Sequence, residues 1–210
     1  MIFKLSDEIA FPNPSLADED GLLAIGGDLS SGRLLLAYSS GIFPWYSEEE
    51  PILWYSPHER FVLEPGQVHI SKSMHRTLNS AKYEVRFNTA FEQVIVACAK
   101  TKRKGQRGTW INKDMIEAYI RLHEMGRALS VEVWMGDILA GGLYGVEIGA
   151  VFSAESMFSQ YTNTSKLALI ALCQSQMYKL IDCQVYSAHV ASMGAKFISG
   201  SDFRKRLRAG

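Results

Sequence analysis

Residues 129–159, LSVEVWMGDILAGGLYGVEIGAVFSAESMFS, constrain this chain more than any other stretch, because they read as three consecutive strands. Leu129, Val131 and Val133 alternate with Ser130, Glu132 and Trp134, the period of a half-buried strand. Gly136-Asp137 supplies a tight turn, and Ile138 to Val146 runs back as a mostly apolar strand. Gly145 and Gly149 flank a second turn, after which Ala150, Val151 and Phe152 lead toward Glu155. Strands joined so tightly pair antiparallel. Glu155 then lies near the end of an apolar strand, where a carboxylate is costly unless it is paired or reaches water.

The flanking sequence predicts a mixed α/β (α+β) protein. Its composition is that of an ordinary globular chain, 47% hydrophobic and 21% charged over 210 residues, long enough for a substantial core. Turn signals and two aromatic clusters, Ile42-Phe43-Pro44-Trp45-Tyr46 and Ile52-Leu53-Trp54-Tyr55, fill the first part. Aromatics this dense beside prolines serve core packing or, alternatively, stacking against a base. The character changes near Pro65-Gly66, which places a small N-terminal α/β domain at 1–65 and a second domain at 66–210. The second reads strand, helix, helix, three strands, helix, strand, strand, with a largely antiparallel mixed sheet flanked by helices. Its late strand is expected over Leu180–Gln184.

Lys plus Arg equals Asp plus Glu, 22 of each, so net charge alone predicts no nucleic-acid or membrane partner. The distribution is less even. Lys102, Arg103, Lys104 and Arg107 cluster in one loop, and Lys72 and Arg76 share the polar side of a helix. Such groups are solvated, or they hold backbone phosphates. No apolar run approaches membrane-spanning length and no basic leader opens the chain, so a cytoplasmic protein is expected.

Motifs for mononucleotide, dinucleotide, serine-hydrolase and zinc-protease chemistry are missing. The five histidines lack metal-ligand spacing, and Cys98, Cys173 and Cys183 lack the spacing of a zinc ribbon, so no metal is assigned. A Cys183–His189 nucleophile pair is disfavoured, because Cys183 should point away from Asp182 and Gln184. Those two, spaced by two on a strand, should share a face. Beside Glu155 they would form the polar mouth of an apolar pocket; otherwise Asp182 caps a backbone group and Gln184 is merely exposed.

Seven blocks turn this reading toward a family. They are Gly21-Leu22-Leu23-Ala24-Ile25-Gly26-Gly27-Asp28-Leu29, Gly41-Ile42-Phe43-Pro44-Trp45, Ile52-Leu53-Trp54-Tyr55-Ser56-Pro57, Gly108-Thr109-Trp110-Ile111, Gly141-Gly142-Leu143-Tyr144-Gly145-Val146, Glu155-Ser156-Met157-Phe158-Ser159 and Ile181-Asp182-Cys183-Gln184. In this order the chain resembles the bacterial leucyl/phenylalanyl-tRNA–protein transferases nearly end to end. The resemblance implies an N-acetyltransferase-like domain behind the small one. It implies transfer of Leu or Phe, and Met less well, from aminoacyl-tRNA to an N-terminal Arg or Lys, which marks the acceptor protein for degradation. Neither a metal nor a coenzyme is implied, and a monomer is expected. By the same resemblance Trp45 and Trp110 sandwich the 3′ adenosine, and Leu143, Phe152, Met157 and Ile181 line the amino-acid pocket. Glu155, Asp182 and Gln184 serve the reaction, Glu155 also the acceptor. The two rival readings are a coenzyme-A-dependent N-acyltransferase and a non-catalytic RNA-binding module.

Two details of the sequence bear on that assignment. Phe152 and Met157 have opposite parity on a plain strand, so sharing one pocket requires a bulge between them. Ala154 stands where the family usually has Gly, and the segment 185–193 also departs from the family pattern.

Overall fold

The computed structural model describes residues 2–101 and 109–209, arranged around two sheets. The first part contains β1 (Phe3–Leu5), β2 (Leu22–Gly26), α1 (Ser31–Ser39), β3 (Phe43–Pro44) and β4 (Leu53–Tyr55). Its four strands run in the order β1-β2-β4-β3. Ser30 caps α1 by accepting a hydrogen bond from the Arg33 amide. Trp54 is wholly buried and donates its indole N–H to the Gly26 carbonyl at 2.8 Å, so this aromatic cluster is core.

The larger part follows with β5 (Glu59–Leu63), α2 (Lys72–Leu78), β6 (Glu84–Phe87), α3 (Phe91–Lys100) and α4 (Lys113–Glu124). Then come β7 (Ala128–Met135), β8 (Ile138–Ile148) and β9 (Val151–Ser159). The chain finishes with α5 (Thr164–Gln174), β10 (Leu180–Asp182), α6 (Ala188–Ala191), β11 (Lys196–Ser199) and α7 (Gly200–Arg208). Seven strands form one sheet in the order β11-β5-β10-β9-β8-β7-β6. Every neighbouring pair in it is antiparallel except β9 with β10. The mixed, largely antiparallel sheet expected from the sequence is therefore present. β5, on the N-terminal side of the division expected near residue 65, pairs with β10 and β11 in this sheet. Among the described residues no helix is long and apolar enough to cross a membrane.

The three central strands form as expected, but with two differences. β7 is buried on both faces, not one. Leu129, Val131 and Val133 pack with α5 residues such as Leu167 and Ile170, while Ser130 and Glu132 face the opposite side and are also buried. Glu132 tolerates this because Thr89 donates both its amide and its hydroxyl to the carboxylate. Gly149, with φ of +55°, does occupy the turn after β8, but Gly145 lies inside the strand.

Gly145 sits opposite an irregularity that shapes everything downstream. Tyr144 is paired with Ser156 and Gly145 with Ala154, which leaves Glu155 as the extra residue of a β-bulge in β9. A β-carbon on Gly145 would lie 2.6 Å from the Phe152 ring and closer still to the Ser153 carbonyl oxygen. Only glycine fits there. The bulge required by the parity of Phe152 and Met157 is thus present, and both side chains pack with the same hydrophobic cluster.

Candidate functional site

β9 and β10 stay paired only as far as Ser153 and Asp182. Beyond that point β9 continues to Ser159, while the chain after Asp182 swings away through Gln184, whose φ is +63°. The gap between the diverging segments becomes a cavity of about 730 Å³. Its walls are Ala154 to Ser159 on one side and Cys183 to Ser187 on the other. Phe43, Pro44 and Trp45 from the small sheet border it together with Trp110, while Ser165 and Leu169 of α5 and His189 and Val190 of α6 close another side.

The polar centre of the cavity is built in two layers. In the rear layer Asp182, fully buried, accepts hydrogen bonds from Arg60 Nε and Nη2, both at 2.7 Å. Ser153 Oγ donates to the same carboxylate at 3.2 Å and the Gln184 amide at 2.9 Å. Arg60 is itself buried, lies between the rings of Phe43 and Phe203 at 4.6 Å from each centroid, and donates to the Gly41 carbonyl. This bidentate pair and the added hydrogen bonds occupy both carboxylate oxygens of Asp182. Asp182 anchors the backbone of Gln184 in its left-handed conformation.

That differs from the expected strand over Leu180–Gln184. Pairing with β9 stops at Asp182, although backbone hydrogen bonds to Phe61 of β5 continue through Cys183 and Gln184, so Gln184 does not reach the site through regular strand parity. It arrives because the carboxylate of Asp182 captures its amide. Once there, Gln184 Nε2 donates to Glu155 Oε1 at 2.6 Å. Donation from Nε2 leaves Gln184 Oε1 as an acceptor to which no group donates among the described residues.

Glu155 forms the front layer, only 7% exposed. The bulge turns it toward α1 and α4, where Tyr119 donates its hydroxyl to Oε2 at 3.0 Å and is in turn hydrogen-bonded to the hydroxyl of Tyr38. Burial raises the Glu155 carboxyl to about 7, against the lowering effect of the hydrogen bonds from Tyr38, Tyr119 and Gln184. A carboxyl titrating near neutrality inside a cavity is suited to exchanging a proton.

Trp45, Trp110, Glu155, Met157 and Gln184 all border the one cavity. Trp45 is 38% exposed there, unlike the buried Trp54. Leu143, Phe152 and Ile181 do not border it; they are fully buried in the layer beneath Met157. Leu169 and Val190, themselves buried, are apolar residues that border the cavity along with Met157. Cys183 borders the cavity too, but burial and the neighbouring Asp182 charge push its thiol far above the ordinary range, which disfavours a thiolate. Lys72 and Arg76 lie exposed on α2, away from the cavity, and Arg76 borders a separate hollow with Lys82, Tyr83 and Tyr161. Lys102, Arg103, Lys104 and Arg107 fall outside the described residues.

Sequence reasoning missed Arg60, Tyr38, Tyr119, Leu169 and Val190. Arg60 carried a faint signal, a cation heading the apolar run Phe61-Val62-Leu63. The two tyrosines carried none, since their spacing marks them only as core positions.

Known proteins match this chain along nearly all of its length. Residues 62–208 fit the model of a family described as leucyl/phenylalanyl-tRNA protein transferase, and residues 27–58 fit its N-terminal domain. A leucyl/phenylalanyl-tRNA–protein transferase from Flavobacterium psychrophilum is 50% identical over 207 residues, covering 97% of this chain and 98% of that one. One from Flavobacterium johnsoniae is 50% identical over 211 residues, covering 99% and 100%. One from Oleidesulfovibrio alaskensis is also 50% identical, over 98% of this chain and 86% of that one.

Proposed function

The chain belongs to the leucyl/phenylalanyl-tRNA–protein transferase family, and on that premise we propose how its cavity carries an aminoacyl group from tRNA to protein. It is an aminoacyltransferase. The 3′ adenosine of the charged tRNA stacks between Trp45 and Trp110, and the Leu or Phe side chain of the donor lies against Met157, Leu169 and Val190. Met enters the same slot less well. The observation that carries this reading is a single cavity with aromatic rings at one border, apolar side chains at another, and Glu155 with Gln184 between them. Stacking tolerates the absence of base-specific contacts, and a flexible Met wall accepts both branched and aromatic side chains.

The donor ester is already activated, so the reading calls for no coenzyme. Positioning the acceptor amine against the ester carbonyl can supply about 7–11 kcal/mol of the barrier at best. Gln184 Oε1 accepts an N–H of the attacking amine and aims its lone pair at the carbonyl carbon. Asp182, held by Arg60, fixes Gln184 from behind. Acceptors begin with Arg or Lys, and the Glu155 carboxylate, which has no cationic partner among the described residues, draws the cationic terminus in. One chain supplies every group named here, so no second copy is needed. Charged tRNA is a cytoplasmic substrate, and the reaction belongs in that compartment.

The test mixes the protein, charged leucyl-tRNA and peptides that differ only in their first residue, then weighs the peptides. A gain of one leucine on the Arg- and Lys-initiated peptides alone is expected. Equal modification whatever the first residue would remove the acceptor assignment.

A further inference from the structure

We propose that Tyr119 and Tyr38 are positioning residues of the transfer, holding Glu155 as the group that takes the proton of the acceptor's ammonium. This rests on the reaction described above. The geometry behind it is a buried series of hydroxyls: Tyr38 on α1 meets Tyr119 on α4, and Tyr119 donates to Glu155 Oε2. Both tyrosines are essentially inaccessible, at 1% and 0% exposure. Two phenol groups brought together from separate helices behind a cavity carboxylate are costly to bury unless they serve one another.

A carboxylate is needed at this point for a chemical reason. The α-amino group of a peptide has an ordinary pKa of about 7.7–8.0 and reaches the site largely as an ammonium, which cannot attack an ester. Asp182 is committed to Arg60, Ser153 and the Gln184 amide, and an amide such as Gln184 does not take up a proton near neutrality. Glu155 remains. Its carboxylate takes one proton, leaving a neutral amine and a carboxylic acid. The amine nitrogen then bonds to the ester carbonyl carbon, the bond from that carbon to the ribose oxygen breaks, and the second ammonium proton goes to that oxygen. The acid form of Glu155 returns its proton to water after the product leaves.

The tyrosines set when this can happen. Hydrogen bonds to a carboxylate favour its ionised form, opposing the burial that raises it. The groups facing Glu155 are Tyr38 and Tyr119, Gln184 after β10, and Asp182, whose charge is matched by Arg60; Tyr144 of β8 packs edge-on against Tyr119 at 5.7 Å. Removing the Tyr119 hydroxyl should therefore raise the Glu155 pKa, and the acid form, which cannot accept the proton, should persist to higher pH.

The experiment measures single-turnover transfer from leucyl-tRNA to an Arg-initiated peptide across pH 5.5–8.5, for the wild type, Tyr119→Phe and Tyr38→Phe, with melting temperatures recorded. The acid limb should move up by about one pH unit in Tyr119→Phe, making it about tenfold slower at pH 6.5 and nearly normal at pH 8.5. Tyr38→Phe should move the limb the same way by less, with donor KM unchanged in both. A uniform loss at every pH with a lowered melting temperature, or no change in either variant, would overturn the proposal. A wild type that modifies no peptide would instead remove the reaction on which it rests.

Discussion

Single residues in this site are defined by what surrounds them more than by their own chemistry. Glu155 and Asp182 are both buried carboxylates, yet Asp182 has a guanidinium in bidentate contact and Glu155 has only hydroxyls and an amide. On the proposed mechanism, that difference gives anchoring to one and proton exchange to the other. It also has a stability consequence. Glu155 ordinarily titrates near 4.5 and is raised to about 7 in the fold, so between those values the folded protein keeps a proton that the unfolded chain has shed. Stability therefore falls as pH rises through this window and stays lower above it, by roughly 3 kcal/mol. Glu155→Gln removes the charge while keeping the shape. It should abolish transfer, raise the melting temperature at pH 8, and leave it unchanged at pH 5. A fall of equal size at both values would mean that the carboxylate only ties strands together. Asp182 fixing Gln184 was an expectation from the sequence, but a proton-exchanging Glu155 was not, since there it was a carboxylate on an apolar strand with its partners unknown. Tyr38, Tyr119 and Arg60 come from parts of the chain far from it, and only tertiary packing reveals them.

At the scale of elements, the site follows from one irregularity and one divergence. The bulge at Glu155 turns that side chain toward α1 and α4 while returning Met157 to the face of Phe152 and Leu143. The early end of β10 opens the space in front of it. The parity of Phe152 and Met157 already required the bulge, because a strand has a strict period of two. By contrast, the end of pairing with β9 at Asp182 left no trace in a segment that reads as apolar and strand-like. Gly145 makes the bulge possible. Gly145→Ala should cost several kcal/mol by denaturant unfolding, of order 3 or more, since the new methyl meets backbone and a buried ring. Gly126→Ala is the control. Its φ is +68° and nothing lies within 4 Å of the added carbon, so strain alone should cost about 1 kcal/mol. Equal losses would show that the close approach at Gly145 is relieved without disturbing β9.

Across the whole molecule, the smaller sheet contributes to the wall of the cavity rather than being an appendage. Its residues Leu23, Phe43 and Trp54, with Tyr38 of α1, share a continuous core with Val94 and Ile95 of α3 and Tyr119 of α4. Through that core the N-terminal part brings Trp45 to the cavity, and its helix α1 brings Tyr38 to Glu155. A division of folding units near residue 65 remains a proposal, set against β5 lying in the larger sheet. Fold class and the residues around the cavity were largely readable from periodicity and from the family blocks. Which of those residues line the cavity was less so: Leu143, Phe152 and Ile181 pack behind it, while the buried Leu169 and Val190 border it. In the proposed function, this cavity takes the aminoacyl end of charged tRNA in one orientation. A crystal structure with a non-hydrolysable leucyl-adenosine amide bound tests it most directly. Adenine is expected against Trp45 and Trp110, the leucine side chain beside Met157, Leu169 and Val190, and the carbonyl carbon next to Gln184. The analogue bound outside the cavity, or with adenine and leucine exchanged, would contradict it.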